Sequence, residues 1–458
     1  MAGPAQARMA AVPAKDSVFP FAASLAFTLI LLLVPEASVP GFGRLRLAFL
    51  TGVFAIAAQC WIRFAAGRPP MRLTRETWLA GALLAWVIIT LPLSKQPDVS
   101  TALLGDVVKA LGVFWLLSNT VTTLGRLRTM VWALSLTSMP LAAISVWEFL
   151  SHRVRPIGDP GSGRIAGYSV AGYQGWLTGD PNQLAMMLNL ILPLAIALFF
   201  IDRRPAARSL LAGIIALDAS AIVVTFSRGG FLTLAITLIL YLRTLYKWRE
   251  RRWVFAALVL AVAAVPLLPR AYLDRLDTLT HVDTEASAAQ RWESIRYGVP
   301  YVLSHPLPVG LGMNSIVLGE ARASEAQGVH VRIDDLWRNE CPQPCFEVHN
   351  TYLDFAIELG WLGLGLFLLL LVGCVKIPVR VRERCASVPG LRELSVLAEG
   401  IRLALVASAV AAFFFPWTFK PPYFYYFAGL AVAVGAVYEE ARTAEAPAAP
   451  PRLLARHG

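Results

Sequence analysis

The chain has 458 residues, of which 57% are hydrophobic and only 16% charged, a balance that excludes an ordinary soluble globular domain. Its formal net charge of +11 sits mainly on basic residues between apolar runs. It lacks the aromatic-interleaved basic stripe of single-strand binders, so nucleic acid is not the expected partner.

Apolar runs long enough to span a bilayer core recur along almost the whole chain. The expected fold class is an all-α polytopic membrane protein of about twelve transmembrane helices, with one large polar loop region containing short helices. The predicted spans are 17–35, 42–62, 76–94, 101–118, 129–150, 181–201, 209–226, 229–246, 253–268, 351–373, 395–416 and 421–438. Residues 1–268 thus hold nine spans and a smaller loop at 151–180, 269–350 form the large loop, 351–440 hold three more spans, and 441–458 are a tail. Met1 to Asp16 has no apolar core of its own, so no cleaved signal is expected.

Arg and Lys concentrate in alternate connections: Arg63 to Arg75, Arg126 and Arg128, Arg203 to Arg208, Arg243 to Arg252, and Lys376 to Arg392. Basic residues in short loops stay on the cytoplasmic side. This predicts a multi-pass membrane protein with both termini cytoplasmic and both polar loops on the outer side. The inner basic residues also contact anionic headgroups, and membrane lipids are therefore expected partners.

Along the chain, Asp106 and Lys109 stand at i,i+3 within the fourth span and can pair there. The Gly-rich loop at 151–180 carries Arg164, a candidate ligand residue or simply part of a linker. Asp180-Pro181-Asn182 opens the sixth span as a helix cap or as a functional element. Ser227-Arg228-Gly229-Gly230 is a tight turn between the seventh and eighth spans, where Arg228 either grips a ligand or reaches lipid phosphate. In the large loop, 288–303 reads as an amphipathic helix on the membrane, with Trp292, Ile295 and Val299 at helical spacing. Arg291 and Arg296 on that helix, followed by His305-Pro306 to Gly312, add cation near the same face, or are solvated charges.

Cys341 and Cys345 form Cys-Pro-Gln-Pro-Cys in the large loop. In an oxidising compartment they would close a small disulfide ring; otherwise they are free thiols or half of a zinc site. The histidines have no close His-xxx-His spacing, and neither a metal nor a cofactor is expected. His349-Asn350-Thr351 opens the tenth span, with His349 a base or a hydrogen-bonded structural residue.

The helices opened by Asn182, Arg228 and His349-Asn350 all run from outside to inside, so their positive ends and free N–H groups point outward. Such ends attract anions. Several cations and a neutral base at a face without nucleotides fit glycosyl transfer from a lipid diphosphate. The arginines stabilise the leaving diphosphate, and a histidine held unprotonated by the helix dipole takes the acceptor's proton.

At this point the residues resemble the O-antigen ligase and polymerase superfamily. The resemblance rests on His349-Asn350-Thr351-Tyr352-Leu353, Glu358-Leu359-Gly360, the 227–230 turn, Asn182, and Arg291 with the His305–Gly312 run, and it spans roughly 180–365. It implies an inverting, metal-independent transfer of O antigen from undecaprenyl diphosphate to an acceptor. Arg228 and Arg291 would bind diphosphate, with Arg164 and Arg296 near them. His349 would be the base, and Asn182, Ser227, Gly229 and Asn350 would support the site.

One member class uses lipid A core as acceptor; this is the favoured expectation, because the long loop is single and the tail short. Polymerases and protein O-oligosaccharyltransferases are the alternatives within the superfamily. A lipid-linked oligosaccharide flippase is the alternative from another class. Transporters gather polar groups at mid-membrane, whereas here the polar weight lies outside the spans.

Overall fold

The computed structural model describes residues 17–33, 46–151, 155–157, 167–169, 181–246, 286–327, 348–385, 388–415 and 423–445. The predicted ninth span at 253–268, Arg164, Cys341 and Cys345 lie outside the described residues.

Five helices precede the small loop: α1 (Val18–Leu33), α2 (Leu47–Ala65), α3 (Arg75–Thr90), α4 (Pro97–Thr120) and α5 (Leu124–Leu150). Then come α6 (Pro181–Ile201), α7 (Pro205–Val224), α8 (Arg228–Tyr246), α9 (Ala286–Ser304) and α10 (Asn314–Gln327). The chain continues with α11 (Thr351–Glu358), α12 (Gly360–Cys385), α13 (Arg392–Ala411) and α14 (Tyr423–Glu445). Among the described residues, nine helices are long and apolar enough to cross a membrane: α2, α3 with its following turn, α4 to α8, α12 and α13. The protein is an all-α, multi-pass membrane protein. Within the predicted loop at 151–180, β1 (Arg155–Ile157) pairs antiparallel with β2 (Gly167–Ser169), Pro156 opposite Tyr168, a local addition to the helical fold.

Helix starts follow local chemistry. Thr74 and Thr77 close a reciprocal capping box on α3, Thr123 caps α5, and Pro97 and Pro205 occupy first turns where their missing N–H costs nothing. The apolar faces then pack into one large core in which α6 and α13 are the most enclosed of the nine membrane-length helices.

Helix ends sort into two groups. At one end, Arg126 donates to the Ser17 carbonyl, Arg72 N–H to Asn119 Oδ1, and Arg128 bridges Asp202 at 2.9 Å and Glu393 at 3.3 Å. This basic end gathers the start of α1 and the α2–α3, α4–α5, α6–α7 and α12–α13 connections. The site described below occupies the other end, so the helices alternate in the predicted order.

The predicted span 351–373 is two helices. Gly360 has φ +66, and a side chain there would begin 2.7 Å from the Pro306 carbonyl. A left-handed backbone this close to another strand of chain suits only glycine. The chain turns, and α12 starts on a new axis.

Candidate active site

Three helix starts meet at one place. Ser227 is buried and caps α8, its Oγ accepting the Gly230 N–H at 3.1 Å. Phe226, just before it, has φ +56 and lies 6.2 Å ring to ring from Phe149 at the end of α5. These contacts hold the turn that presents Arg228, which is half-buried.

Next to it, α6 crosses α8 closely. A side chain on Gly230 would begin 2.6 Å from Ala185 Cβ, and the buried Asn189 donates to the Gly230 carbonyl at 3.0 Å and the Ala185 carbonyl at 2.8 Å. Asn189 stands two turns beyond Asn182, on the same face of α6. The half-buried Asn182 therefore belongs to the stripe that faces α8.

The third start is α11. Asn350 is its N-cap, accepting the Leu353 N–H at 3.1 Å, as Asn does at a helix entrance. Thr351 donates its N–H to Ala412 at 2.8 Å and its hydroxyl to the Phe415 carbonyl at 2.7 Å, and Tyr352 donates to Ala409 at 2.7 Å. The same turn after α13 meets α8, since a side chain on Gly229 would begin 3.0 Å from Phe414 Cβ and 3.5 Å from the Phe415 ring. Arg228 and the half-buried His349 therefore flank one turn, Ala412–Phe415.

Helix α9 lies against α11. Gly298 packs on Leu353, and Val302 accepts the Trp361 indole N–H at 3.0 Å. Moving from Val302 back to Gly298 runs toward the start of α11. Two further turns in that sense, about 10 Å, reach Arg291, whose Nε is buried. The adjoining flank of α9 leaves Trp292, Ile295, Val299 and Leu303 exposed, the predicted surface-lying stripe.

The His305–Gly312 run closes the far side of α11. Where the helix breaks, its last carbonyls lose their helical donors. Val309 and Gly310 N–H donate to Ile357 and Glu358, and the Trp86 indole to Leu359. The Glu358 side chain accepts N–H from Gly312 and Asn314, and Asn314 donates to the buried Asp354 at 2.6 Å. The loop is fastened in turn to the α3–α4 junction through Lys95 N–H on Val309 and the Ser100 hydroxyl on Leu311. His305 itself is exposed and stacks on Tyr301 at 4.3 Å.

Of the predicted residues, Asn182, Ser227, Arg228, Gly229, Arg291, His349 and Asn350 lie on elements that converge at this end. Arg296 is on the same helix as Arg291, but it pairs with Glu325 of α10 at 2.6 Å, both side chains being half-exposed. Glu325 also accepts from the Tyr297 hydroxyl, which, with some burial, raises that phenol above its ordinary range.

Residues 211–368 match the family described as O-Antigen ligase. The match covers about a third of the chain and supports a place in the O-antigen ligase superfamily. In this O-antigen ligase region, from within α7 to within α12, lie Arg228, Arg291, Arg296 and His349, whereas Asn182 and Phe415 fall outside it. No curated protein matches the chain. The family supports glycosyl transfer of the O-antigen ligase or polymerase type at a membrane.

Sequence reasoning missed Asn189, Asp354 with Asn314, and the Ala412–Phe415 turn. The first had a readable signal, its i,i+7 spacing from Asn182. Asp354 is the acid in the first turn of α11, where a carboxylate suits the dipole. The Ala412–Phe415 turn holds the α11 start through backbone carbonyls, which no residue type announces.

Proposed function

We propose that the protein transfers a glycan from undecaprenyl diphosphate to a sugar hydroxyl of lipid A core, on the periplasmic face of the bacterial inner membrane. The observation that carries this reading is the meeting of the α8 and α11 starts on the Ala412–Phe415 turn, with α9 alongside α11. It brings together the elements bearing Arg228, Arg291 and His349, and aligns two positive helix ends on one surface.

In the proposed step, the acceptor oxygen attacks the anomeric carbon from the face opposite the diphosphate, and the anomeric carbon–oxygen bond to phosphate breaks. The acceptor proton passes to His349, and the diphosphate leaves on its lipid with its charge held by Arg228 and Arg291. Inversion follows from the direct displacement. Ser227 and Asn350 act as caps that fix the two helix starts, and Gly229 lets α8 approach the turn. Asn182 lies on the α6 face that meets α8. Arg296 is assigned to the α9–α10 bridge, outside the diphosphate grip.

Polar groups inside the bundle favour transfer over transport. Glu399, fully buried on α13, is bound by Arg402 at 2.6 Å and Arg382 at 2.8 Å. On the exposed side of α4, Lys109 holds Asp106 at 2.9 Å, and the buried Asp218 of α7 accepts the Ser138 hydroxyl at 2.9 Å. These charges are held separately, on different helices, rather than lining one path.

Reconstitution with undecaprenyl-diphosphate glycan and either lipid A core or an acceptor glycan tests the proposal. Glycosylated lipid A core is expected; elongation of the free glycan instead would make the protein a polymerase, and glycan movement across the bilayer without transfer would make it a transporter. His349→Ala should abolish transfer while inserting normally. Arg228→Lys should weaken donor use, because a point charge does not replace the bidentate guanidinium fork.

A further inference from the structure

The basic end holds a second cationic site that the transfer reaction does not use. A cleft of about 790 Å³ opens there between the α2–α3 connection, the last turns of α12 and the last turns of α14. Arg68 and Arg72 line it from the connection, and Arg380 and Arg384 from α12. All four are at least partly exposed. The two on α12 are one turn apart and share a face.

The acids beside the cleft do not cancel this charge. Glu439 and Glu440 lie at its edge on α14, but Glu439 pairs with Arg442 at 2.9 Å. Arg384 stands over the Tyr438 ring, 5.9 Å from its centre, a cation–π contact rather than an ion pair with a carboxylate. Arg72, Arg380 and Arg384 thus outnumber the carboxylates at the cleft edge, Glu439 and Glu440.

The cleft is also continuous with a lipid-facing surface. Along one exposed face of α12, Leu369 and Val372 are followed by Lys376 and Arg380, an apolar stripe that turns basic as it reaches the cleft. Ile377, Val381 and Val432 form its apolar wall. A free phosphate or a nucleotide would use the cations and leave the stripe unexplained, whereas a phospholipid uses both.

We propose that this cleft is a specific binding site for an anionic glycerophospholipid in the leaflet at the basic end. Its phosphate is held by Arg72, Arg380 and Arg384, with Arg68 at the mouth, and its acyl chains lie along the Leu369–Val372 face. Guanidiniums bind phosphate oxygens in forked pairs, and basic clefts between membrane helices are suited to anionic headgroups.

The test uses the full chain in nanodiscs of phosphatidylcholine with or without phosphatidylglycerol, reading the melting temperature and the phosphatidylglycerol retained on extraction into detergent. Phosphatidylglycerol should raise the melting temperature and remain bound. Arg380→Gln alone should cut retention about fivefold, the equivalent of about 1 kcal/mol for one basic residue at an anionic surface. The triple variant Arg72→Gln, Arg380→Gln, Arg384→Gln should lose it altogether, while Arg203→Gln with Arg204→Gln, elsewhere on the basic end, should keep it. Equal retention in Arg380→Gln, or equal loss in the Arg203 and Arg204 variant, would overturn the proposal. Reproduction of the thermal shift by millimolar inorganic phosphate in phosphatidylcholine alone would also overturn it, because the ligand would then not be a lipid.

Discussion

The Thr351 hydroxyl donates to the Phe415 carbonyl at 2.7 Å, and the ring of that same Phe415 stands 3.5 Å from where a side chain on Gly229 would begin. One residue therefore sets the distance between two helix starts, the one that follows Arg228 and the one that follows His349. If His349 and Arg228 act on one substrate, their spacing depends on a turn that belongs to neither motif.

Thr351→Val keeps the shape of the side chain and leaves the buried Phe415 carbonyl without its donor. Such a loss costs about 1–3 kcal/mol, read as a lower melting temperature in detergent. Because the α11 start then keeps only its main-chain bond to Ala412 and the Tyr352 bond to Ala409, a shift near 1 Å becomes accessible and transfer should fall by about tenfold to a hundredfold. Thr351→Ser, which keeps the donor, should stay near wild type. A Val variant with unchanged transfer would separate the turn from the reaction.

Gly230→Ala puts a methyl 2.6 Å from Ala185 Cβ. Overpacking of this kind costs about 1–3 kcal/mol, and it would also stretch the Asn189 bond to the Gly230 carbonyl. Adding Ala185→Gly should restore much of the stability and of the transfer. A double variant no better than Gly230→Ala would show that the close α6–α8 crossing is not what the glycine serves.

What could be read from the residues was local. The tight turn at Ser227–Gly230, the helix opened by His349-Asn350-Thr351 and the amphipathic stripe of Trp292, Ile295 and Val299 each follow from a few neighbouring side chains, and the structure has all three. The order of membrane helices followed from hydropathy and from Arg and Lys. The break at Gly360 was hidden because the chain is apolar on both sides of it, so hydropathy runs through unbroken. The Asn189–Gly230 and Thr351–Phe415 bonds join residues 41 and 64 positions apart, and arise from helix crossings that no local pattern encodes. Glu399 and Arg402 do stand at a readable i,i+3 spacing, but Arg382, their third member, comes from another helix.

Arg296 offers a direct contrast between two roles. If its guanidinium serves to bridge α9 and α10 through Glu325, then Arg296→Gln and Glu325→Gln should have the same small effect on stability and on donor KM, since exposed pairs contribute little. If it grips the donor diphosphate, Arg296→Gln alone should raise donor KM. Measuring KM for both variants against the same lipid-linked glycan decides between them, and equal values are expected.

The Glu399 network gives an asymmetric prediction. Glu399 is fully buried, while Arg402 and Arg382 keep side-chain exposures of 18% and 28%, so the carboxylate depends on its partners more than they depend on it. Arg402→Met removes one of two guanidiniums from a buried charge and should destabilise the protein by about 3 kcal/mol. Glu399→Leu combined with Arg402→Met removes the buried charge together with its partner, and replacing a buried pair by apolar groups is often close to neutral. The double variant should therefore melt above the Arg402→Met single variant in the same detergent. Should it melt lower, the network would be contributing net stability, and α13 would be held to α8 and α12 by these charges, through Thr244 and Arg382, more than by its apolar faces.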